Sequence, residues 1–544
     1  MATLQEKAQK LQEDVFAIRD ALKDIDSNIE VDLKQEGILP EDGSIIDLAT
    51  KDYVTAIEYL DQIKDRNCQF NFNEGHYFWK LADLIKRNGF KHVQNFAFMF
   101  CENPYVTSIP PFAIVTEDEQ LVQYDFPTDL SKAYNISQMF NRCINLATIN
   151  DELIISNAYD MMAMFQNCTG LTTWPEEYRL NLQYELVEKE DGTLETRTGK
   201  KLNNMFDGCV NLKDFPVKGS GSPIDANYTS MFRNCSSLTT IPNDFTPTFE
   251  EGYGEVSFNK MFQGCSSLSS IPMSWNLDCG KDFTSMFEGC SNLTSVILSC
   301  NNGTAFTSMF KNCTNLLNIE LYCDKASKLF EKIDDDNRIV NGIFDGCSNL
   351  WHVTLKCSNI SSLHSTFRAK HKLRSVEFSI KDDQKVSLES AFNGSFLIES
   401  ISGIKNIKIT NCATAFQYNH QLKSLHLGDM SECIDCTNMF MMGVNESDGW
   451  FQVTDFSIAN SENNVPEWYC TPDSEINFSQ CYFYSAEILN NILTSIANAM
   501  LNYIKHSSEM KGNVSIKIPA IMYEQLISTT LATDETYSIF AISA

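Results

Sequence analysis

Long hydrophobic runs and positive charge are both scarce in this chain of 544 residues. No stretch of 18 apolar residues occurs, so the sequence predicts no membrane-spanning helix. Lysine and arginine together number 42, against 71 aspartates and glutamates, which gives a formal net charge of −29. Because such a surface repels nucleic acid and anionic lipid, we expect neither nucleic acid binding nor membrane insertion.

The opening segment, MATLQEKAQKLQEDVFAIRD, lacks the apolar core of a secretory signal peptide. We therefore expect no export driven by such a signal. Cysteine occurs 19 times, but in a chain of this length that number does not predict a small secreted scaffold held by disulfides. A reduced and buried set of cysteines is the favoured interpretation, and a disulfide framework is the alternative.

Motifs that carry chemistry are also missing. There is no phosphate-binding glycine loop and no Gly-x-Ser-x-Gly. Cys433 and Cys436 form a single C-x-x-C without a second pair, so we interpret both as structural. The sequence predicts no catalytic residue, no cofactor and no metal, and hence no enzyme.

Two other groups of polar residues resemble metal ligands only superficially. His352, Cys357, His364 and His371 follow no metal-ligand spacing, and we interpret the histidines as scattered surface residues. The run Asp334–Asp336 has the charge of a calcium loop without the EF-hand pattern. Pairs of acidic residues are too abundant for a glycosidase site to be argued from sequence.

What the chain does contain is one motif written many times. Met-Phe-x-x-Cys-x-x-Leu recurs at spacings of 23 to 26 residues where the copies are tightest. Cysteine follows three residues after Phe in eight copies, and an aliphatic residue follows six after Phe in most copies. The thirteen copies align on Phe100, Phe140, Phe165, Phe206, Phe232, Phe262, Phe287, Phe310, Phe344, Phe367, Phe392, Phe416 and Phe440.

A period near 24 residues is typical of leucine-rich repeats, in which each unit adds one short strand to a stacked parallel sheet. The segments LTSVIL, LLNIEL, LWHVTL, LRSVEF and LKSLHL alternate as strands with one buried and one wet face. The motif residues are therefore predicted to form the core. The representative core set is Phe232, Cys235, Leu238, Phe262, Cys265, Leu268, Phe287, Cys290, Leu293, Phe310, Cys313 and Leu316.

Residues 95–460 resemble the BspA-like leucine-rich repeats of bacterial and phage surface proteins, because every element of the motif recurs in register. The resemblance implies an α/β repeat fold, a leucine-rich-repeat solenoid of parallel stacked strands. Between 366 and 425 the Met and Cys positions are replaced, so we expect the cysteine ladder to lapse there while the apolar frame persists.

The N-terminal segment carries apolar residues in a strict 4-3 spacing, which is the pattern of a coiled-coil seam about three heptads long. A short parallel coiled coil, leaning towards a trimer, is the favoured prediction, and a lone amphipathic helix is the alternative. The seam residues are Leu4, Ala8, Leu11, Val15, Ile18, Leu22 and Ile25.

Four segments follow from these patterns. Residues 1–26 are predicted to form a coiled-coil attachment or oligomerisation helix, and residues 27–94 a small α/β linker and N-terminal cap. Residues 95–464 are predicted to hold the solenoid of about 13 coils, and residues 465–544 a small α/β C-terminal cap. The first 60 residues and the C-terminal segment also resemble the ends of bacteriophage fibre proteins.

Residues beyond the minimal repeat mark inserted loops. Asp191-Gly192 lies between alternating segments and predicts a β-hairpin. Insertions in repeat proteins often gather on a binding face, and functionless loop growth is the equal alternative. The largest insertions lie at 110–134, 175–203, 246–258, 322–341 and 441–452.

Together these features predict a bacteriophage virion structural protein, a tail or head fibre or adhesin subunit made in the host cytoplasm. Its expected partners are two further copies of itself, other virion proteins through the N-terminal region, and a host cell-surface glycan or protein. An exported bacterial adhesin or scaffold and a fibre-borne polysaccharide depolymerase are the alternatives. Receptor-contacting residues are not predicted.

Overall fold

The computed structural model describes residues 96–543 with gaps, so the predicted seam from Leu4 to Ile25 and the predicted linker at 27–94 lie outside the described residues. The described chain divides into two compact units at Leu268 and Ser269. The gaps are 99, 103–105, 110–111, 116–120, 125–127, 131–132, 157, 183–186, 189–193, 196–199, 219–225, 248–255, 274, 334–338, 443–451, 470, 472–474, 480, 482, 484, 508–513 and 527–539.

The first unit consists of coils with very short strands. β1 pairs with β4 in parallel, whereas β2 with β3 and β5 with β6 form antiparallel hairpins. A single 3-10 turn spans Glu176–Tyr178. The strands are β1 (Ser108–Ile109), β2 (Phe112–Val115), β3 (Leu121–Tyr124), β4 (Thr148–Ile149), β5 (Val187–Glu188), β6 (Leu194–Glu195) and β7 (Val256–Ser257).

The second unit is built on a six-stranded parallel sheet. Its strands follow the order β17-β15-β14-β11-β10-β8, so each coil lays its strand beside that of the previous coil. The six are β8 (Trp275–Asn276), β10 (Ser295–Ser299), β11 (Asn318–Tyr322), β14 (His352–Lys356), β15 (Ser375–Ser379) and β17 (Ser400–Ser402). The predicted parallel strands and the leucine-rich-repeat class are confirmed.

The remaining strands of this unit form smaller sheets. β12 (Lys332–Ile333) and β13 (Ile339–Val340) are antiparallel. The parallel pairs are β16 (Lys385–Ser387) with β18 (Lys408–Asn411), and β19 (Ser424–Leu427) with β20 (Asp455–Ile458). β9 spans Gly280–Asp282.

The inserted loops follow one pattern where the structure describes them. Three of the five predicted insertions hold an antiparallel hairpin, formed by β2 and β3, by β5 and β6, and by β12 and β13. The hairpin predicted around Asp191-Gly192 is confirmed by the pairing of Val187 with Glu195. The aspartates at 334–336 lie outside the described residues.

Stacked phenylalanine rings run through the core of each unit. In the first unit, Phe100, Phe140, Phe165, Phe206, Phe232 and Phe262 stack in order with ring centroids 5.3–5.5 Å apart. In the second, the stack runs from Phe287 to Phe440 at 5.4–6.3 Å. Such pairs stabilise by about 0.5–1.5 kcal/mol each beyond their buried area. All twelve representative core residues are 0% exposed.

The motif cysteine has a specific role beside this stack. Within one coil, the backbone N–H of Cys313 donates to the carbonyl of Phe310 at 3.1 Å. The thiol of Cys347 in the next coil donates to the same carbonyl at 3.0 Å. Each such carbonyl therefore has two donors, which satisfies both lone pairs of a buried oxygen. The same thiol contact recurs at Cys143, Cys168, Cys209, Cys235, Cys265 and Cys313.

The expectation that this ladder lapses between 366 and 425 is only partly correct. The sulfur is gone, but the hydroxyl of Ser395 donates to the carbonyl of Phe367 at 2.6 Å. The side-chain amide of Asn419 donates to the carbonyl of Phe392 at 2.8 Å. A donor three residues after Phe is therefore retained at two of the three replaced positions, Ser395 and Asn419 but not Lys370, and cysteine is one of three residue types that supply it.

We expect Ser395→Ala to lower the free energy of unfolding by about 1–3 kcal/mol, because the buried carbonyl of Phe367 then loses its partner in the next coil. Ser395→Cys restores a donor at the same position and should lose markedly less. Urea denaturation of both variants measures the difference. Equal losses for the two would contradict the donor role.

In three pairs of neighbouring coils, the turn after Phe carries asparagine in the first coil and glycine in the next. Asn167, Asn234 and Asn312 take left-handed backbone angles with φ of 59–60°. Each faces a glycine of the next coil, and a Cβ on Gly346 would lie 2.3 Å from Oδ1 of Asn312. That glycine also has φ of +73°, so both the backbone and the neighbour exclude a larger residue.

The C-terminal segment contains one further copy of the repeat. Phe478 stacks on Phe440 at 5.1 Å, and the thiol of Cys481 donates to the carbonyl of Phe440 at 3.1 Å. The count of thirteen copies is therefore one short. The fourteenth lacks the Met of the motif, since Asn477 precedes Phe478.

The C-terminal segment also forms a small α/β structure, which begins with a strand just before Phe478. The three-stranded parallel sheet consists of β21 (Glu475–Asn477), β22 (Val514–Lys517) and β23 (Phe540–Ser543). Helix α1 (Ala486–His506) begins at the N-cap Ser485, whose hydroxyl accepts from the N–H of Ile488, and α2 spans Ala520–Leu526. The apolar face of α1 is buried, including Leu489, Leu493 and Ile496.

Candidate binding surface

The outward face of the six-stranded sheet is the surface that the repeats position most regularly. Alternate strand residues point inward, and the row formed by Val296, Ile319, Val353 and Val376 is at most 2% exposed. The residues between them lie on the other face, in register from coil to coil. Side chains alternate between the two faces of the sheet along each strand. Outward residues at the same position of successive strands therefore form rows that run across the sheet.

A cluster of charged and phenolic side chains occupies the centre of this face. The ammonium of Lys356 donates to Glu320 at 2.6 Å and to the hydroxyl of Tyr322 at 2.7 Å. The Tyr322 hydroxyl donates to the same carboxylate at 2.6 Å, and the Lys356 nitrogen lies 4.2 Å from the Tyr322 ring centroid. The hydrogen bonds from Lys356 and Tyr322 lower the pKa of Glu320, and Glu320 in turn raises the pKa of Lys356.

His352 organises the neighbouring row. Its Nδ1 lies 2.5 Å from the hydroxyl of Ser375, and its Nε2 lies 3.1 Å from that of Thr354. The imidazole is thus held between two hydroxyls of the same sheet face. This part of the face is therefore polar, and its two hydroxyls are bound by the imidazole.

The edge where the strands begin carries the exposed apolar side chains. Leu317 and Trp351 are 41% and 49% exposed, and the N–H of Trp351 donates to the carbonyl of Leu317 at 2.8 Å. The next coil places the guanidinium carbon of Arg374 5.2 Å from the Trp351 ring, and Arg374 pairs with Glu399 at 2.6 Å. We call Leu317, Trp351, Arg374 and Glu399 the edge row.

Two of the carboxylates on this side of the unit are paired with a cation. Glu320 bonds to Lys356 and Glu399 to Arg374, although the whole chain carries 29 more negative than positive groups. Trp and Arg are also the residue types that most often dominate binding energy at protein surfaces. The sheet face and the edge row therefore combine an exposed aromatic anchor with polar groups that are fixed by ion pairs.

The structure describes only part of the residues considered as metal ligands, because the aspartates at 334–336 lie outside the described ranges. Within the described ranges, no group of three or more His, Cys, Asp or Glu is arranged to hold a metal ion. Cys433 and Cys436 are both buried. Across the same part of the chain, none of the helices has the length and apolar character needed to cross a membrane.

The interpretation of the histidines as surface residues is wrong for His364. Its side chain is 1% exposed and its Nδ1 lies 3.5 Å from a carboxylate oxygen of Glu389. His371 is exposed and stacks on Phe396 with centroids 4.9 Å apart. The sequence could not distinguish these two positions, because neither lies in the apolar period of the repeat.

Sequence reasoning also missed a second row of buried thiols. Cys300, Cys323 and Cys357 each directly follow a strand of the six-stranded sheet. A hydrogen bond with Cys357 and burial raise the pKa of Cys323. The sequence contained a signal for this second row, because each of the three cysteines stands at the same spacing after the Phe of its copy.

Two family profiles match the chain. The profile for the BspA type leucine rich repeat region matches residues 199–333 and 337–441. A Mycoplasma protein family of unknown function, DUF285, matches residues 125–245. No catalytic family is among these matches, and no curated protein matches the chain.

Three solved structures align with 70–76% of the chain. A leucine-rich repeat protein from Bacteroides ovatus is 16% identical, with 70% of this chain and 92% of that chain covered and a TM-score of 0.27. The TLR13–ssRNA13 complex is 13% identical over 76% of this chain and 53% of that chain, with a TM-score of 0.27. The mouse RP105/MD-1 complex is 12% identical over 74% and 89%, with a TM-score of 0.18. From the motif, the sheet and the profile matches, we conclude that this chain contains a BspA-type leucine-rich-repeat region.

Proposed function

We propose that the protein is a non-enzymatic surface adhesin or scaffold that binds its partner through the sheet face and edge row of the second unit. The observation that carries the proposal is the exposed pair Leu317 and Trp351, held by the backbone beside paired charges and ordered hydroxyls. A partly exposed Trp in a rigid setting binds with little loss of conformational entropy. The partner is a protein or a glycan.

The double variant Leu317→Ala with Trp351→Ala is expected to reduce binding at least about ten-fold, because it removes the apolar anchor from the surface. The measurement is retention of the labelled full chain on intact cells of a bacterial panel. Protease-treated and periodate-treated cells separate protein receptors from glycan receptors. Ile434→Ala is the matched control, since Ile434 is 55% exposed but lies outside the sheet face. Unchanged retention of the double variant would reject this surface.

We further propose that the chain is a bacteriophage fibre subunit, located in the virion and assembled as a homotrimer on a tail or head. The 4-3 spacing from Leu4 to Ile25 supports this attachment role. A seam of three heptads is marginal alone, so docking on a particle would stabilise it. An exported bacterial adhesin is the competing assignment.

Deleting residues 1–26 should leave a folded repeat region that no longer enters the particle. Mass spectrometry of purified virions from a phage carrying the deletion measures incorporation against the intact chain. Circular dichroism confirms that the truncated chain is folded. Normal incorporation of the truncated chain, or its absence from wild-type virions, would reject the attachment role.

A fibre-borne polysaccharide depolymerase is a third assignment, and Glu320 does not fit the role of its catalytic acid. Its general acid must be a carboxyl group that stays protonated near neutral pH, which requires a raised pKa. Glu320, the carboxyl at the centre of the sheet face, has a lowered pKa because Lys356 and Tyr322 donate to it. Glu320 is therefore suited to hold Lys356 and Tyr322 in place rather than to donate a proton.

A further inference from the structure

Two buried thiols from consecutive coils meet near the end of the repeat. The Sγ atoms of Cys412 and Cys433 lie 3.5 Å apart, and both side chains are 0% exposed. Backbone hydrogen bonds fix the two segments side by side, from the N–H of Ile434 to Thr410 and from the N–H of Cys412 to Asp435, both at 2.9 Å. The two sulfurs are therefore held at contact distance by a rigid frame.

The geometry differs from that of the motif cysteines. The thiol of Cys313 donates to the carbonyl of Phe287, so its sulfur is directed at a backbone oxygen of the preceding coil. Cys412 contacts Cys433 and, at 3.4 Å, the thioether of Met439, and Cys433 also donates to the carbonyl of Asp435 within its own coil at 3.4 Å. Chains paired side by side lie roughly 4.8 Å apart, within the range of Cα separations that a disulfide spans.

We propose that Cys412 and Cys433 are a covalent cross-linking site, which forms a disulfide between two coils when the protein meets a low-molecular-weight disulfide. One thiolate attacks the external disulfide, which gives a mixed disulfide and releases the first external thiolate. The second cysteine thiolate then attacks the protein sulfur, forms the cross-link and releases the second external thiolate. The two protein thiols lose two protons and two electrons, and the external disulfide takes them up as two thiols.

Burial protects both thiols in the folded chain, so the reaction is expected mainly while the protein folds or opens locally. The cross-link closes a loop from 412 to 433, and it constrains the unfolded chain more than the folded one. This inference does not depend on whether a virion or a cell carries the protein.

The test is refolding of the full chain from urea in two buffers, one with reduced and oxidised glutathione and one with reduced glutathione alone. Free thiols are then alkylated under denaturing conditions, and the chain is digested with trypsin and with a protease that cleaves before aspartate. Cleavage before Asp435 separates Cys433 from Cys436, so mass spectrometry identifies which sulfur is joined to Cys412. Circular dichroism confirms refolding.

We expect the peptides of Cys412 and Cys433 to be joined in most molecules from the mixed buffer, with a mass about 2 Da below their sum. The reduced sample should contain none. Cys436→Ser should keep the cross-link and Cys433→Ser should lose it. Refolded wild-type chain with both thiols alkylated, or with Cys433 joined to Cys436, would overturn the proposal even if Cys433→Ser fails to fold.

Discussion

Phe287→Ala is expected to lower the free energy of unfolding of the second unit by about 3–5 kcal/mol. The side chain is 0% exposed and stacks on Phe310 at 5.6 Å, so its removal leaves a cavity in the ring stack and ends one aromatic contact. The collapse of neighbouring coils can fill such a cavity only partly, because the backbone hydrogen bonds between coils fix their spacing.

Chemical denaturation followed by circular dichroism measures this loss. Phe396→Ala is the control, because this phenylalanine is 39% exposed and outside the ring stack. It should change stability by less than about 1 kcal/mol. A denaturation midpoint of Phe287→Ala within error of the control would contradict the assigned role of the stack. Since coils contact mainly their neighbours, hydrogen exchange should place the loss near residues 283–316.

Raising the pH above about 8.5 is expected to destabilise both units steeply. Burial raises the pKa of Cys209 to about 12 and that of Cys347 to about 12. In the unfolded chain the same thiols ionise near pH 8.5, so there the unfolded state binds fewer protons than the folded state. Stability contributed by each thiol is therefore full below pH 8.5 and is lost as the pH rises towards 12. The slope is about 1.4 kcal/mol per pH unit for each such thiol.

Urea denaturation at several values between pH 7 and pH 10 measures this slope. The variant with Cys209→Ser and Cys347→Ser removes two ionisable groups and keeps a hydroxyl donor, so its slope should be smaller by about 2.7 kcal/mol per pH unit. A stability that stays constant from pH 8 to pH 10 would show that the thiols are not buried in the folded state. Reductant must be present throughout, so that oxidation does not replace ionisation as the cause.

The core of each repeat can be predicted from its sequence, because the same types of residue must be buried in every coil. Phe, Cys and Leu at fixed spacing must all be buried if coils are to stack, and the alternation in segments such as LLNIEL sets the strand face. The binding surface does not follow in this way. The register between coils aligns Glu320 with Thr354, but the contact of Glu320 with Lys356, two residues further along, depends on side-chain conformations that the motif does not specify.

Copies in which a motif residue is replaced were the second place where the prediction from sequence was wrong. Ser395 and Asn419 break the letter pattern of the motif and yet keep its donor, because the carbonyl of Phe needs a hydrogen rather than a sulfur. Phe478 was assigned to a separate cap for the opposite reason, since its context lacks Met although its ring and Cys481 occupy the usual places. Chemical function at each position predicts such structures better than residue identity.

The pairing of an asparagine in one coil with a glycine in the next limits which coils can be lost from the repeat without a steric clash. Gly208, Gly264 and Gly346 each face an asparagine of the preceding coil, with 2.2–2.7 Å between its Oδ1 and the point where a Cβ would be. Deleting the coil of Gly208 would bring Asn234 against Asn167, where a Cβ has no room, whereas deleting the coils of Asn167 and Gly208 together removes a complementary pair. We expect such arrays to lengthen and shorten in steps of two coils at these places, and the solubility of engineered one-coil and two-coil deletions measures that preference.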